Sequence, residues 1–232
     1  MIILEADHVY KKYLRTQALN GIDMTIESGK IVGLLGPNGS GKTTFLKILA
    51  GLARPTAGDI KICNTQIGYK TKELVAYLPE SDYLYPWMKI KDAKKVYATF
   101  FSDFNPAKFE ELLAFMHLES GMSVKSLSRG MTEKLALALT LARDAKLIIL
   151  DEPLNGVDPI AREQILGAIL KGFNYDSSII IASHMINEVE RILDEAHFLM
   201  NGKIILSGNT EDIRNEKKMT LDELYREVLY VD

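Results

Sequence analysis

Almost no cysteine, no long apolar run and little net charge mark this sequence, and each shortage excludes a class of protein. One cysteine, Cys63, in 232 residues excludes an internal disulfide and a cysteine-rich metal centre, and suits a reducing compartment. A net charge of −3 supplies no global attraction to nucleic acid or anionic lipid. The most apolar stretches, Leu147–Leu150 and Ser178–Ala182, have the length of buried strands, far short of the ~18 residues of a membrane span. Any membrane role must therefore pass through a partner. Glu5 and Asp7 interrupt the first apolar run, so it is not expected to be a signal peptide.

What is present is an alternation of strand-like and helix-like segments with no internal repeat and no low-complexity stretch. Ile2–Ala6, Ile22–Ile26, Ile31–Leu35, Asp59–Ile62, Val75–Leu78, Leu147–Leu150 and Ile179–Ala182 read as strands. Ala196–Met200 and Lys203–Leu206 read as a hairpin about Asn201-Gly202. Helical patterns run from Thr44 to Ala50, from about Asp92 to Leu118 with a break before Pro106, and over Glu133–Arg143, Ala161–Lys171 and Ile186–Leu193. The tail Leu221, Leu224, Tyr225, Val228, Leu229 recurs at helical spacing. Glu133–Arg143 is apolar nearly all round, as a buried helix is. The order predicts an α/β fold with a mostly parallel sheet and an all-helical insertion over roughly residues 81–139. One domain would span 1–232, with 1–80 and 140–232 as its core.

The chemistry starts at Gly36-Pro37-Asn38-Gly39-Ser40-Gly41-Lys42-Thr43-Thr44. A buried strand, the pattern G-x-x-x-x-G-K-[ST] and then a helix form a phosphate cradle. Gly39 and Gly41 let backbone N–H groups face the phosphates, the helix N-terminus adds its dipole, Lys42 neutralises charge, and the Thr43 hydroxyl suits Mg²⁺. Asp151 and Glu152 end the strand Leu147–Leu150, where ligands bind in open α/β sheets. Asp151 would hold Mg²⁺ and Glu152 would take a proton from attacking water. His184 follows the next buried strand, near the same site. Ser128 and Gly130 precede the buried helix. They read either as a plain N-cap or as a second anion site.

In this order and spacing the pieces resemble the nucleotide-binding subunit of ATP-binding cassette (ABC) transporters, over essentially the whole chain. Leu127-Ser128-Arg129-Gly130-Met131 looks like the family's signature and Leu154-Asn155-Gly156-Val157-Asp158 like its D-loop. His184 matches the switch histidine, Tyr13 the aromatic that stacks on adenine, and Leu78-Pro79-Glu80 the loop that normally carries glutamine. The resemblance implies a P-loop NTPase (RecA-like) core, an N-terminal antiparallel β-subdomain and an inserted α-helical subdomain. It also implies ATP and Mg²⁺ as cofactors, with Thr43, Glu80 and Asp151 at the metal and Lys42, Glu80, Glu152 and His184 in catalysis. Two cassettes, identical or different, would close head-to-tail on two ATPs, with Ser128, Arg129, Gly130, Met131 and Asp158 reaching the partner's site. A separate transmembrane subunit would hold the chain at the cytoplasmic face of the membrane.

Three departures stand out. Glu80 replaces the usual glutamine and adds negative charge beside Asp151 and Glu152. Arg129 replaces the signature's first glycine and is expected to point to solvent rather than to phosphate. Met131 replaces its glutamine, losing a polar contact across the dimer. Ser-Arg-Gly-Met and Tyr-Leu-Pro-Glu look most like bacterial exporter cassettes for bacitracin resistance, lantibiotic immunity and cytolytic peptides. An importer subunit, a cassette acting on nucleic acid or ribosomes, and a regulatory module without turnover are the alternatives. The acidic charge and the lack of a long coiled coil argue against nucleic acid. Tyr83, Tyr85 and Trp87 are read as a docking surface for the membrane partner.

Overall fold

A computed structural model describes residues 1–80 and 84–229. The chain opens on a long hairpin, β1 (Ile2–Tyr13) and β2 (Thr16–Glu27). Both strands outrun their sequence patterns. The register slips between Ala6 and Val9, where His8 adopts φ +47 and its N–H donates to Asp23 Oδ1 at 2.7 Å. Such a bulge breaks the period-2 alternation by which a strand is read. β3 (Ile31–Leu35) and α1 (Lys42–Leu49) follow, then β4 (Ala57–Ile62), β5 (Thr65–Gln66) and β6 (Val75–Leu78).

Three helices come next: α2 (Ile90–Phe100), α3 (Pro106–Phe115) and α4 (Arg129–Leu141). Asn105 caps α3 through the amides of Ala107 and Lys108, and Pro106 takes the first helical position, where its missing N–H costs nothing. α4 starts four residues before the apolar run at Glu133, because Ser128 Oγ accepts from the Met131 amide at 3.3 Å and caps it there. It continues to Leu141, across the expected boundary at residue 139. The remainder alternates: β7 (Leu147–Asp151), α5 (Pro159–Gly172), β8 (Ser178–Ser183), α6 (Ile186–Val189), β9 (Glu195–Met200), β10 (Lys203–Asn209), α7 (Thr210–Lys217) and α8 (Leu221–Leu229). α6 is shorter than its pattern and passes into a 3-10 turn at Glu190–Ile192. α7 has no apolar stripe. Its signal is the Asn209 cap with Glu211 and Asp212 in the first turn, favourable at a helix N-terminus.

Two sheets result. One is antiparallel in the order β2-β1-β4-β5, and the other runs β10-β9-β3-β8-β7-β6, parallel except for the β9–β10 hairpin. Alternation along the second sheet divides its side chains between two cores. Val32, Leu34, Leu147, Ile149 and Ile180 pack with α1 and the antiparallel sheet. Ile31, Leu35, Ile148, Leu150 and Ile181 pack beneath the helices. Strands buried on both faces read as continuous apolar runs, as parallel strands do. The consequence for function is positional: β3, β7 and β8 lie side by side and release their next residues at one edge.

Candidate nucleotide site

The loop after β3 is held too tightly for side chains. A Cβ on Gly36 would lie 2.2 Å from the Leu199 carbonyl oxygen, and one on Gly41, at φ +113, would lie 2.6 Å from that of Ala18. Gly41 is also the N-cap of α1, with no side-chain cap, so the first-turn amides remain open to a ligand. Above this loop is a cavity of about 280 Å³, walled by Thr16, Gln17 and Ala18 on one side and by Glu80 and Glu152 on another. Asn38, Gly39, Gly41, Lys42, Thr43 and Thr44 line its base. Gly36, Pro37 and Ser40 stand behind the lining. The carbonyls of Gly36 and Pro37 accept Lys42 Nζ at 2.8 and 3.1 Å, and Ser40 is buried.

Lys42 also faces Glu152 Oε1 at 3.2 Å, an ion contact without hydrogen-bond alignment. The other carboxylate oxygen of Glu152 meets His184 Nδ1 at 2.8 Å and accepts the His184 amide at 3.3 Å. Glu152 is buried and holds φ +52, a left-handed backbone that costs a bulky residue energy and clusters at functional sites. One chain of contacts, Lys42–Glu152–His184, therefore crosses from the loop to the end of β8.

Asp151 sits beside it, 1% exposed. Thr43 Oγ1 donates to its Oδ1 at 3.1 Å and Tyr77 OH to its Oδ2 at 3.1 Å. Burial raises the Asp151 carboxyl pKa. The two donors oppose that shift, while the charges of Glu80 and Glu152 add to it. The Tyr77 phenol is also pushed up, by burial first and by Asp151 next. A hydroxyl and a carboxylate oxygen side by side are the hard oxygen donors that suit Mg²⁺, so the residues fit that ion. Glu80 Oε1 accepts from Asn155 Nδ2 at 3.2 Å.

The signature stretch does not line this cavity. Ser128 is occupied in capping α4. Gly130 lies against the segment after β7, where a Cβ would stand 3.4–3.6 Å from Ala161, Val157 and Asp158. Asp158 caps α5 by accepting the Ala161 amide at 3.0 Å. Met131 packs on the helical-side core. Arg129 faces solvent and also folds back on the segment after β7. Its Nη2 donates to the Asn155 carbonyl at 3.2 Å over Gly156, whose missing Cβ leaves room for the guanidinium.

Tyr13 ends β1, 46% exposed, with Lys11 Nζ 4.7 Å above its ring. It adjoins the cavity through its strand partner Thr16 without lining it. Tyr85 and Trp87 are exposed and stacked at 5.7 Å, whereas Met88 is buried and Leu84 packs on the core. Tyr83 lies outside the described residues. Sequence reasoning missed Tyr77, which looked like one more buried strand residue, and placed Asn155 in the D-loop without its contacts to both Glu80 and Arg129.

The comparisons with known proteins agree with this geometry. A family model described as ABC transporter matches residues 19–155. The chain is 34% identical over 226 residues to the lantibiotic transport ATP-binding protein SrtF of Streptococcus pyogenes, covering 96% of each.

The chain belongs to the ABC transporter family.

This ABC ATPase is also 30% identical over 221 residues to the Nod factor export ATP-binding protein I of Ralstonia nicotianae, covering 91% of the chain and 68% of that relative. It spans 61% to 73% of the length of several other curated ABC relatives. Among solved structures, the ATP binding subunit of an ABC transporter superposes with a TM-score of 0.85 at 27% identity, covering 98% of this chain and 99% of that one. The ABC cassette therefore has the P-loop NTPase core, antiparallel β-subdomain and helical insertion that the motifs imply. No helix among its described residues is long and apolar enough to cross a membrane.

Proposed function

We propose that this cassette binds and hydrolyses MgATP to drive export through a separate transmembrane subunit. The observation that carries the reading is the contact chain Lys42–Glu152–His184 beside the Thr43–Asp151 pair, in one cavity at the ends of adjacent parallel strands. Thr43 and Asp151 would hold Mg²⁺, which when bound neutralises charge on the phosphate oxygens. Lys42 leaves Glu152 and the loop carbonyls to bind phosphate, so nucleotide binding frees a carboxylate. Glu152 then accepts the proton of the attacking water, with its Oε2 held by His184. Tyr13 stacks on the adenine from the hairpin end.

Ser128, Gly130 and Asp158 do not line their own cavity and complete the site of a second cassette. Both halves of such a composite site occur in this chain, so a homodimer is sufficient. The exposed, stacked Tyr85 and Trp87 offer the apolar surface through which closure reaches the membrane partner, at the cytoplasmic face. The likeness to a lantibiotic transport and a Nod factor export ATP-binding protein supports export over import.

Glu152→Gln removes the base while keeping the nucleotide pocket. It is expected to form an ATP-dependent dimer on size-exclusion chromatography, with turnover reduced at least ~100-fold. A variant that stays monomeric with ATP, with and without its membrane partner, would sink the mechanism.

A further inference from the structure

Tyr77 belongs to the strand β6, yet its hydroxyl ends at the Asp151 carboxylate. β6 and β7 pair in parallel with Tyr77 opposite Ile149. Asp151 is the next residue of β7 on the same face, and a strand side chain leans along its strand. The Tyr77 ring reaches one step forward and donates to Asp151 Oδ2 at 3.1 Å, while Thr43 takes Oδ1 at 3.1 Å. Each carboxylate oxygen thus has one donor, and Asp151 is buried with Glu80 and Glu152 adding repulsion. The ring itself lies in the floor of a groove of about 200 Å³ with Leu52, Tyr97 and Phe101.

We propose that Tyr77 is a positioning residue for the metal: its hydroxyl holds Asp151 in the orientation that presents Oδ1 beside Thr43. A phenylalanine would pack the groove equally well and leave Oδ2 without a donor. The carboxylate would then be free to turn away from Thr43, and the metal would lose an oriented ligand while the phosphate cradle stayed whole. The inference rests on the nucleotide reading above, and goes beyond it in assigning a residue of β6 to the metal.

The test compares full-length wild type with Tyr77→Phe. ADP affinity is measured without metal by calorimetry, and Mn²⁺ affinity of the ADP complex by electron paramagnetic resonance. Metal-free ADP affinity is expected to stay within about twofold, and Mn²⁺ affinity to fall about tenfold, the scale of one hydrogen bond to a charged group. Equal Mn²⁺ affinity in the two proteins overturns the assignment. A matching loss of metal-free ADP affinity also overturns it, because a purely structural role would weaken both. A wild type that binds no ADP at all overturns the nucleotide reading, and this inference with it.

Discussion

Glu152 is strained in its backbone, buried and held at both oxygens. The protein tolerates that cost because β7 and β8 fix the residues on either side, with the Glu152 amide bonded to the Ala182 carbonyl at 3.0 Å. Glu80 is the residue where this chain leaves its family's pattern nearest the chemistry. Its charge is felt at both Asp151 and Tyr77, and its carboxylate is tied to Asn155. Glutamine would keep the acceptor for Asn155 and remove the charge. Glu80→Gln is therefore expected to raise turnover at saturating MgATP several-fold, since relieving repulsion of order 1 kcal/mol corresponds to about fivefold in rate. Steady-state phosphate release checks this, and slower turnover in the variant would contradict it. Arg129 shows what sequence comparison alone could not show. The guanidinium finds the Asn155 carbonyl only because Gly156 folds beneath it.

At the scale of elements, the helices join the sheet through a residue that no motif marks. Arg143 follows the end of α4 and is buried. It donates to both carboxylate oxygens of Asp103 at 3.0 and 2.9 Å and to the Val75 carbonyl at 2.7 Å, and lies 4.1 Å from the Phe101 ring. A planar guanidinium serves such a fork better than lysine would. Arg143→Met is expected to destabilise the protein by about 3 kcal/mol in urea unfolding, since it leaves Asp103 and a buried carbonyl unpaired. A loss below about 1 kcal/mol would show that the linkage lies elsewhere. Element type was legible wherever period and caps agreed, as at Asn105-Pro106 and Asp158-Pro159. It was illegible in β1 beyond Ala6, where the bulge at His8 shifts the alternation, and at α7, where charged residues carry no stripe.

At the scale of the whole molecule, one parallel sheet separates two cores, and a histidine is sealed in its face. His197 lies on β9 between Leu34 and Ser207. It is buried, and neither ring nitrogen meets a partner among the described residues. Burial lowers its pKa to about 4 from the ordinary 6.5. The folded protein keeps the ring neutral while the unfolded chain takes up a proton below pH 6.5. Stability is therefore full above that value and falls as pH drops toward 4, by about 3 kcal/mol at 1.36 kcal/mol per unit. His197→Leu is expected to flatten that part of the pH–stability curve in chemical denaturation. An equally steep fall in the variant would assign the acid sensitivity to other groups.

The sequence by itself determined the phosphate loop, the paired acids at Asp151 and Glu152, the strand–helix alternation of an α/β core and the family. Each of these is local: a strand end, a turn or a cap needs only neighbouring residues to be recognised. Tertiary structure alone decided that Lys42 rests on Glu152, that Tyr77 reaches Asp151 and that Asn155 lies between Glu80 and Arg129. Those contacts join segments far apart in the chain. Their partners are selected by sheet register and by the close approach that glycines at 36, 41 and 156 permit, which no periodicity encodes.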